Sequence, residues 1–183
     1  MAAVLAQAGH LVQHAWLESW DSVVTNLLIR EGRPGDEDII LALLYELAEY
    51  EKLTDKFKIT REVILRDYLS PQPLCHCDLA FEGDKPAGVA SWYWTYTSFA
   101  ATRGIYLEDL FVRPEFRGRG YGKALLVNLA KHAVKGGAGR VEWSVLDWNQ
   151  SSIEFYEGNG AERSRGWFIY RLSDEALADL ANS

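Results

Sequence analysis

The stretch RPEFRGRGYGKALL, residues 113–126, constrains the fold of this chain more than any other part of its sequence. The apolar run GIYLEDLFV comes just before it, and apolar side chains at helical spacing follow it, at Ala124, Leu125, Leu129, Ala133 and Val134. This order predicts a strand, a glycine-rich turn and a helix. Such a helix crosses over to a second strand parallel to the first, for which RVEWSVLDW at residues 140–148 is suited.

The segments on either side of this unit predict further strands and helices. Two strand-like runs joined by a GDKP turn, CHCDLAFEG and AGVASWYWTYTSF, indicate an antiparallel hairpin. More strands are predicted at Val23–Glu31 and in GWFIYRL, and helices at residues 36–53, at 60–69 and in NQSSIEFYEGNG. Together they predict an α/β fold with a mixed, mostly antiparallel sheet and helices on both faces. We expect a single domain of residues 23–183 after an N-terminal extension of residues 1–22.

The composition predicts a soluble, cytoplasmic protein. No apolar run reaches the ~18 residues of a membrane span, and the first twenty residues lack the basic start and cleavage site of a signal peptide. Cys75 and Cys77 flank His76 on a predicted strand, which places the two thiols on one face and the imidazole on the other. We therefore expect buried thiols in a reducing compartment and no metal site.

The charge of the chain is unevenly distributed. The net charge is −7, yet residues 113–123 hold four basic side chains and only one acidic side chain. Nucleic-acid binding requires a broad basic face, and here the positive charge is confined to one short loop. We expect no nucleic-acid partner and no membrane partner, and a compact anion such as a nucleotide pyrophosphate at the loop.

The loop has the chemistry of a phosphate site. Backbone N–H groups at the start of a helix have no helical partner and lie at the positive end of the helix dipole. The loop adds glycines that permit close approach and cations that attract the anion: Gly118, Gly120, Gly122, Arg117, Arg119 and Lys123. A P-loop requires a hydroxyl residue where this chain has Ala124, and the dinucleotide fingerprint requires a third glycine where Lys123 stands.

Two adjacent carboxylates, Glu108 and Asp109, interrupt the apolar strand before the loop. Neighbouring residues of a strand point to opposite faces, so we expect one carboxylate on each face of the sheet. A buried carboxylate needs a partner, such as a cationic ligand, a water chain or an arginine. Of the two, Glu108 is the candidate to meet a cationic ligand or water and to accept a proton from it. A structural ion pair with Arg103 or Arg140 is the alternative.

VRPEFRGRGYGKALL resembles the acetyl-coenzyme A signature of the GNAT N-acetyltransferases, because Arg117, Gly120 and Gly122 match its core pattern. WNQSSIEFYEGNGA follows at the distance of the family's second cofactor segment. The resemblance implies the GNAT fold, in which two splayed parallel strands hold the pantetheine arm, with acetyl-CoA as donor and no metal. It implies cofactor contacts at Leu110, Phe111, Val112, Arg117, Gly118, Arg119, Gly120, Tyr121, Gly122, Lys123, Asn149, Ser152 and Tyr156.

The resemblance also implies a mechanism, in which a neutral amine attacks the thioester directly. The oxyanion accepts a hydrogen bond from a backbone N–H near Leu110 or Phe111. Tyr156 protonates the departing thiolate, and Glu108 accepts the proton of the amine directly or through water. Taken without the resemblance, Tyr156 is better explained as a core side chain of a short helix.

The acceptor is indicated by a narrower resemblance. YLEDLFV, GWFIYRL and ELAEYEKL resemble the spermidine/spermine N-acetyltransferase-like branch, which acts on diamines and polyamines and forms homodimers. This implies a substrate site in which carboxylates and aromatic faces receive an alkylammonium, formed by Tyr50, Glu51, Glu108, Asp109 and Trp167. Thr97 stands where the polyamine enzymes have an acidic residue. Short diamines and lysine-like amino acids such as thialysine are therefore candidates beside polyamines.

Other functions fit the same motifs. The enzyme could acetylate protein or peptide amines, or aminoglycosides. A non-catalytic module that binds acyl-CoA would keep the glycine loop without needing Tyr156 and Glu108. Nucleotide phosphoryl transfer would require magnesium-dependent ATP binding.

Overall fold

A computed structural model of the chain describes residues 26–183. These residues form two compact units, one that ends at Ser144 and one that runs from Val145 to Ser183. The predicted N-terminal extension, residues 1–22, and the start of the first predicted strand, residues 23–25, lie outside the described residues.

Five strands of the first unit form one sheet in the order β1–β2–β3–β4–β5. The first four strands pair antiparallel, and β4 pairs with β5 in parallel. The strands are β1 (Leu27–Glu31), β2 (His76–Glu82), β3 (Lys85–Thr97), β4 (Thr102–Val112) and β5 (Ala138–Glu142). The prediction of a mixed, mostly antiparallel sheet with one parallel crossover is confirmed.

Helices pack on both faces of this sheet, as predicted. α1 (Glu37–Tyr50) and α2 (Arg61–Asp67) cover one face, called the α1 face below, and α3 (Tyr121–Lys135) covers the other, the α3 face. Leu79 and Ala80 are both fully buried; Leu79 packs in the core under α1, and Ala80 in the core under α3. Successive strand residues thus supply two separate cores.

The helices form where apolar side chains recur at helical spacing. α1 buries Ile40, Leu43, Leu44 and Leu47, and α3 buries Tyr121, Leu125, Leu129 and Ala133. α2, in the predicted helix of residues 60–69, begins after Thr60, whose side chain accepts a hydrogen bond from the Val63 amide and so caps the helix.

The strand predicted for residues 140–148 is too long, because β5 ends at Glu142. Its parallel register with β4 ends where Tyr106 lies beside Glu142, and the chain then leaves strand geometry. Within the described sheet, no strand pairs with Leu107–Val112 on that side of β4. The carboxyl-terminal half of β4 consequently presents an open backbone edge, since its outward N–H and C=O groups have no ladder partner.

β4 carries a bulge at Glu108. Asp109 lies opposite Ser91 of β3, and Leu107 lies opposite Trp92, so Glu108 is one extra residue without a cross-strand partner. Such a bulge changes the face to which the following residues point. Leu107 packs in the α3-face core, whereas Phe111, four residues later, packs in the α1-face core.

The second unit contains α4 (Gln150–Gly158) and α5 (Asp174–Ala181). α4 confirms the helix predicted in NQSSIEFYEGNG, but the strand predicted for GWFIYRL is wrong, because residues 166–172 have no regular secondary structure. Four consecutive side chains of this segment are 79–91% exposed: Trp167, Phe168, Ile169 and Tyr170. An apolar run becomes a strand only where its backbone can pair, which composition alone does not reveal. Over residues 26–183, every helix is too short or too polar to cross a bilayer.

Candidate active site

The glycine-rich loop leads into α3 through two residues in left-handed conformations. Gly118 has a φ of +70°, and Gly120, which caps the helix, has a φ of +84°. Side chains disfavour this region, so both positions require glycine. The first helical hydrogen bond runs from the Ala124 amide to the Gly120 carbonyl at 2.9 Å, and no side chain caps this end. The amides of Tyr121 and Gly122 precede that bond and are suited to an anion.

Arg117 lies across the end of β4. Its Nε donates to the Val112 carbonyl at 2.8 Å, and its guanidinium lies 4.8 Å from the centre of the Tyr50 ring. Its amide donates to the Pro114 carbonyl at 3.2 Å, within the 3₁₀ turn Pro114–Phe116. Since the turn uses this amide, the amides able to bind an anion begin at Gly118, and Arg117 can serve the site only through its side chain.

Arg119 and Tyr121 both contact Glu82, at the end of β2. The Arg119 guanidinium forms an ion pair with Glu82, and the Tyr121 hydroxyl donates to the same carboxylate at 2.9 Å. These two hydrogen bonds, that of Tyr121 being the larger effect, lower the pKa of Glu82. Tyr121 is 2% exposed and its hydroxyl donates to Glu82, so its side chain is not available to a ligand of the loop.

The open edge of β4 offers particular backbone groups. The Arg113 amide donates to the Ala87 carbonyl at 2.9 Å, on the β3 side. Because backbone direction alternates along a strand, Phe111 also faces β3, and the groups of Leu110 and Val112 face the open edge. Of these, the Val112 carbonyl already accepts the hydrogen bond from Arg117 Nε. Of the two positions predicted for the oxyanion, Leu110 is therefore the one whose N–H is accessible from the open edge.

Glu108 and Asp109 lie on the same face, which corrects the expectation of one carboxylate on each face. Alternation fails here because of the bulge: Asp109 lies opposite Ser91 on the α1 face, and Glu108 precedes it as the unpaired residue. Burial raises the pKa of the Cys75 thiol to about 11. A hydrogen bond with Ser91 opposes this rise, whereas the charges of Asp109 and Glu108 add to it. Both carboxylates therefore lie near one thiol.

Glu51 completes a group of three carboxylates. It follows the last turn of α1, where its amide donates to the Leu47 carbonyl at 2.9 Å. Burial raises its pKa. Burial also raises the pKa of Asp109 to about 6; a hydrogen bond from Ser91 opposes this shift, whereas the charges of Glu108 and Glu51 increase it. A cation placed among these three carboxylates would relieve their repulsion.

The alternative role for Glu108, a structural pair with an arginine, is not found in the described part of the chain. Arg103 lies over the Trp94 ring at 5.7 Å, and Arg140 pairs with Glu142 at 2.8 Å. Glu108 itself is exposed. Its carboxylate is thus available to a substrate or to water.

Aromatic side chains that the sequence did not single out lie next to the carboxylates. Tyr93 and Tyr106 stack across β3 and β4 with ring centres 5.4 Å apart. Burial, followed by the charge of Glu108, raises the pKa of Tyr93. The Tyr106 hydroxyl hydrogen-bonds to Ser144 Oγ at 2.8 Å. Only the cross-strand register brings this pair beside Glu108, so no local motif could have revealed it.

The remaining predicted residues belong to the second unit. Asn149 is buried and caps α4, its side chain accepting a hydrogen bond from the Ser152 amide at 3.3 Å. Tyr156 lies on α4 beside Phe155, with ring centres 5.2 Å apart. Trp167 is 79% exposed, in the segment without regular structure.

The prediction of opposite faces for the cysteines and His76 is confirmed for Cys77, which is buried, whereas Cys75 is only partly buried. Cys77 is buried in the α1-face core, whereas His76 stacks on Trp92 of the α3 face at 4.2 Å. Among the described residues, no three His, Cys, Asp or Glu side chains are grouped so that they could hold a metal ion.

A glycine loop, an open strand edge and three nearby carboxylates agree with the sequence signature, and comparison with known proteins decides the family. The model of the acetyltransferase (GNAT) family matches residues 41–161. The chain belongs to this family. It is therefore an acetyltransferase, and the family uses acetyl-CoA as cosubstrate.

Curated relatives of this acetyltransferase act on small amines, as their names state. The thialysine N-epsilon-acetyltransferase of Bos taurus is 36% identical over 166 residues, which cover 85% of this chain and 97% of that protein. The spermidine/spermine N(1)-acetyltransferase-like protein 1 of Homo sapiens is 34% identical over 163 residues, covering 84% of this chain and 23% of that longer protein.

A solved structure supports the fold of this acetyltransferase independently. An integron cassette protein from the mobile metagenome of V. cholerae superposes with a TM-score of 0.75 at 24% identity, covering 87% of this chain and 99% of its own. At that identity the likeness concerns the fold alone.

Proposed function

We propose that this acetyltransferase transfers the acetyl group of acetyl-CoA to a primary amine of a small cationic substrate, a diamine, a polyamine or a lysine-like amino acid such as thialysine. One observation carries the proposal: Glu51, Glu108 and Asp109 come from two distant segments to one face of the sheet, beside the open half of β4. This group contains three carboxylates, two of which have raised pKa values, and it is suited to bind an ammonium group.

The cosubstrate has suitable partners along the same strand. We assign its pyrophosphate to the amides of Gly118 to Lys123 and its pantetheine arm to the open edge at Leu110 and Val112. Two positive-φ glycines and an uncapped helix start support the first assignment, and the absence of a ladder partner beside Leu107–Val112 in the described sheet supports the second. Phe111, Arg117, Asn149 and Ser152 remain predicted contacts.

The proposed reaction forms one C–N bond and breaks one C–S bond. Glu108 accepts a proton from the substrate ammonium, directly or through water, and the neutral nitrogen attacks the thioester carbon. The N–H of Leu110 stabilises the oxyanion. When the tetrahedral intermediate collapses, Tyr156 donates its proton to the departing thiolate. The attacking nitrogen then loses its second proton to the resulting tyrosinate, directly or through water, which gives the neutral amide and restores Tyr156.

The acceptor is proposed to carry one amine near the carboxylates and a short chain beyond it. Tyr50, Trp167 and the Tyr93–Tyr106 pair are the aromatic groups proposed to contact that chain. Thr97, at the end of β3, lies opposite Thr102, so neither residue of this cross-strand pair is acidic. The names of the two relatives, thialysine and spermidine/spermine enzymes, fit both an amino acid and a polyamine acceptor.

An amine panel tests the proposal. Purified protein with acetyl-CoA is assayed on thialysine, lysine, cadaverine, putrescine and spermidine by release of free coenzyme A. We expect turnover of at least one of them. No turnover of any, with coenzyme A bound in calorimetry, would instead favour a non-catalytic acyl-CoA-binding module.

A matched pair of variants tests the carboxylate site. Glu51→Gln removes a charge near Asp109, whereas Glu49→Gln removes an exposed charge two residues earlier on α1. We expect Glu51→Gln to raise the amine KM roughly threefold to tenfold, which corresponds to ~0.6–1.4 kcal/mol, and Glu49→Gln to leave it unchanged.

A homodimer is also proposed. The branch that the sequence resembles forms dimers, and four consecutive apolar side chains at residues 167–170 are 79–91% exposed, as at a protein–protein contact. Light scattering should give twice the chain mass of 20.7 kDa, and Phe168→Asp with Ile169→Asp should shift the mass to the monomer.

A further inference from the structure

We propose that Ser91 is a positioning residue of the acceptor site, whose hydroxyl holds Asp109 as an ionised, oriented carboxylate facing the substrate ammonium. The inference rests on the proposed function and deepens it. It concerns a residue of the central strand β3 that neither the sequence motifs nor the family signature single out.

The geometry around Ser91 is specific. Ser91 is fully buried, in the middle of β3, and its hydroxyl donates to Oδ2 of Asp109 across the strand pair. The two residues are direct cross-strand partners at the bulge, where Glu108 is inserted beside them. A buried hydroxyl in such a position needs a hydrogen-bond partner, and Asp109 supplies it.

The surroundings make this hydrogen bond decisive for the charge of Asp109. Titratable groups reach Asp109 from each neighbouring element: Glu108 on β4, Glu51 after α1, Tyr68 after α2, Cys75 just before β2 and Cys77 in β2. The charges that shift the titration of Asp109 are those of the carboxylates Glu108 and Glu51. Burial, Glu108 and Glu51 all disfavour the ionised form, and the Ser91 hydroxyl opposes them.

The consequence for binding follows from the sign of this effect. A hydroxyl that donates to a carboxylate favours its ionised form, and Asp109 titrates at about 6 with this bond in place. Without the bond, the carboxyl would keep its proton to higher pH and lose its fixed orientation. An ammonium would then meet a neutral acid in place of a carboxylate.

Kinetics of Ser91 variants test the proposal. Activity is measured with the best amine of the panel. In the plot of kcat/KM against pH, Ser91→Ala should shift the acidic limb to higher pH by about one unit. It should also raise the amine KM about tenfold at pH 6.5 and leave the acetyl-CoA KM unchanged. Ser91→Thr keeps the hydroxyl, so its acidic limb should lie at the wild-type pH. Ser91→Cys has a weaker donor, so its acidic limb should lie between those of the wild type and Ser91→Ala.

Thr95→Val is the matched control. Thr95 is on the same strand, and its buried hydroxyl has no hydrogen-bond partner among the described residues, so its loss should leave the limb in place. An unmoved limb in Ser91→Ala would overturn the inference while turnover by the wild-type protein still supports the proposed function.

A titration that needs no turnover separates the two proposals further. Carbon NMR of labelled aspartate, with the Asp109 signal assigned through Asp109→Asn, should give a higher pKa for Asp109 in Ser91→Ala than in the wild type. Equal values would reject the inference even if the protein acetylated none of the amines.

Discussion

Trp92 Nε1 donates a hydrogen bond of 2.9 Å to Oδ2 of Asp78, and both residues are buried on the α3 side of the sheet. The other oxygen, Oδ1, lies 3.2 Å from His132 Nε2 on α3. This carboxylate therefore ties β2 to β3 and to the helix that carries the glycine loop.

Asp78→Ala should lower the free energy of unfolding by about 1–3 kcal/mol, because it leaves the indole N–H of Trp92 buried without a partner. Urea denaturation followed by tryptophan fluorescence measures this loss. Asp38→Ala is the control: the Asp38 side chain is 79% exposed, and its ion pair with Arg61 should contribute less than about 1 kcal/mol. Equal losses in the two variants would contradict the role given to Asp78.

Asp109→Asn should stabilise the protein at pH 8 while lowering its activity. The folded pKa of Asp109, about 6, lies above the 3.8 of an aspartic acid in the unfolded chain, so ionisation costs the folded state stability as pH rises from about 4 through 6. The neutral amide removes this cost, which is on the order of 1–3 kcal/mol, and the gain should vanish near pH 4. Urea unfolding at pH 4 and pH 8 measures both values.

Asp36→Asn is the control for the direction of this stability change, because the same Asp-to-Asn substitution should lower stability at Asp36. The Arg30 guanidinium, at 2.6 and 2.8 Å, lowers the pKa of Asp36, so this carboxylate stabilises the fold above pH 3.8 and the effect is lost as pH falls below that value. Asp36→Asn should therefore destabilise at pH 8. If both variants were less stable than the wild type at pH 8, ionisation of Asp109 would not cost the folded state stability.

Gly120→Ala should weaken coenzyme A binding at least tenfold and destabilise the chain by about 1–2 kcal/mol, because Gly120 has a φ of +84° at the start of α3. Calorimetry and thermal denaturation measure the two effects. Gly158→Ala, at the end of α4, has no described atom within 4 Å of the added Cβ and should be neutral or slightly stabilising. Wild-type affinity in Gly120→Ala would remove the loop from the cosubstrate site.

Tyr156→Phe should lower kcat at least ~100-fold if Tyr156 protonates the thiolate, since a general acid typically contributes that much. Tyr170→Phe removes the same hydroxyl from a side chain that is 91% exposed and should leave kcat within threefold. Steady-state kinetics with saturating acetyl-CoA compare them. A rate within threefold of the wild type for Tyr156→Phe would falsify the general-acid role.

Much of the site was predictable because its signals are local. The glycine loop of residues 117–122 was recognised between a strand and a helix, and the positive φ values of Gly118 and Gly120 are the reason glycines stand there. The same local rules misplaced the end of β5 and predicted a strand at GWFIYRL, since strand formation depends on a partner that the segment itself does not contain.

The sequence by itself determined the family, the helix start that suits a phosphate and the presence of two adjacent carboxylates at Glu108 and Asp109. Only the tertiary structure decided where those carboxylates point. The bulge exists because β3 pairs with Asp109 and Leu107 but omits Glu108, and this register also places Ser91 against Asp109. A contact between residues eighteen positions apart depends on strand pairing, which no local pattern of side chains specifies.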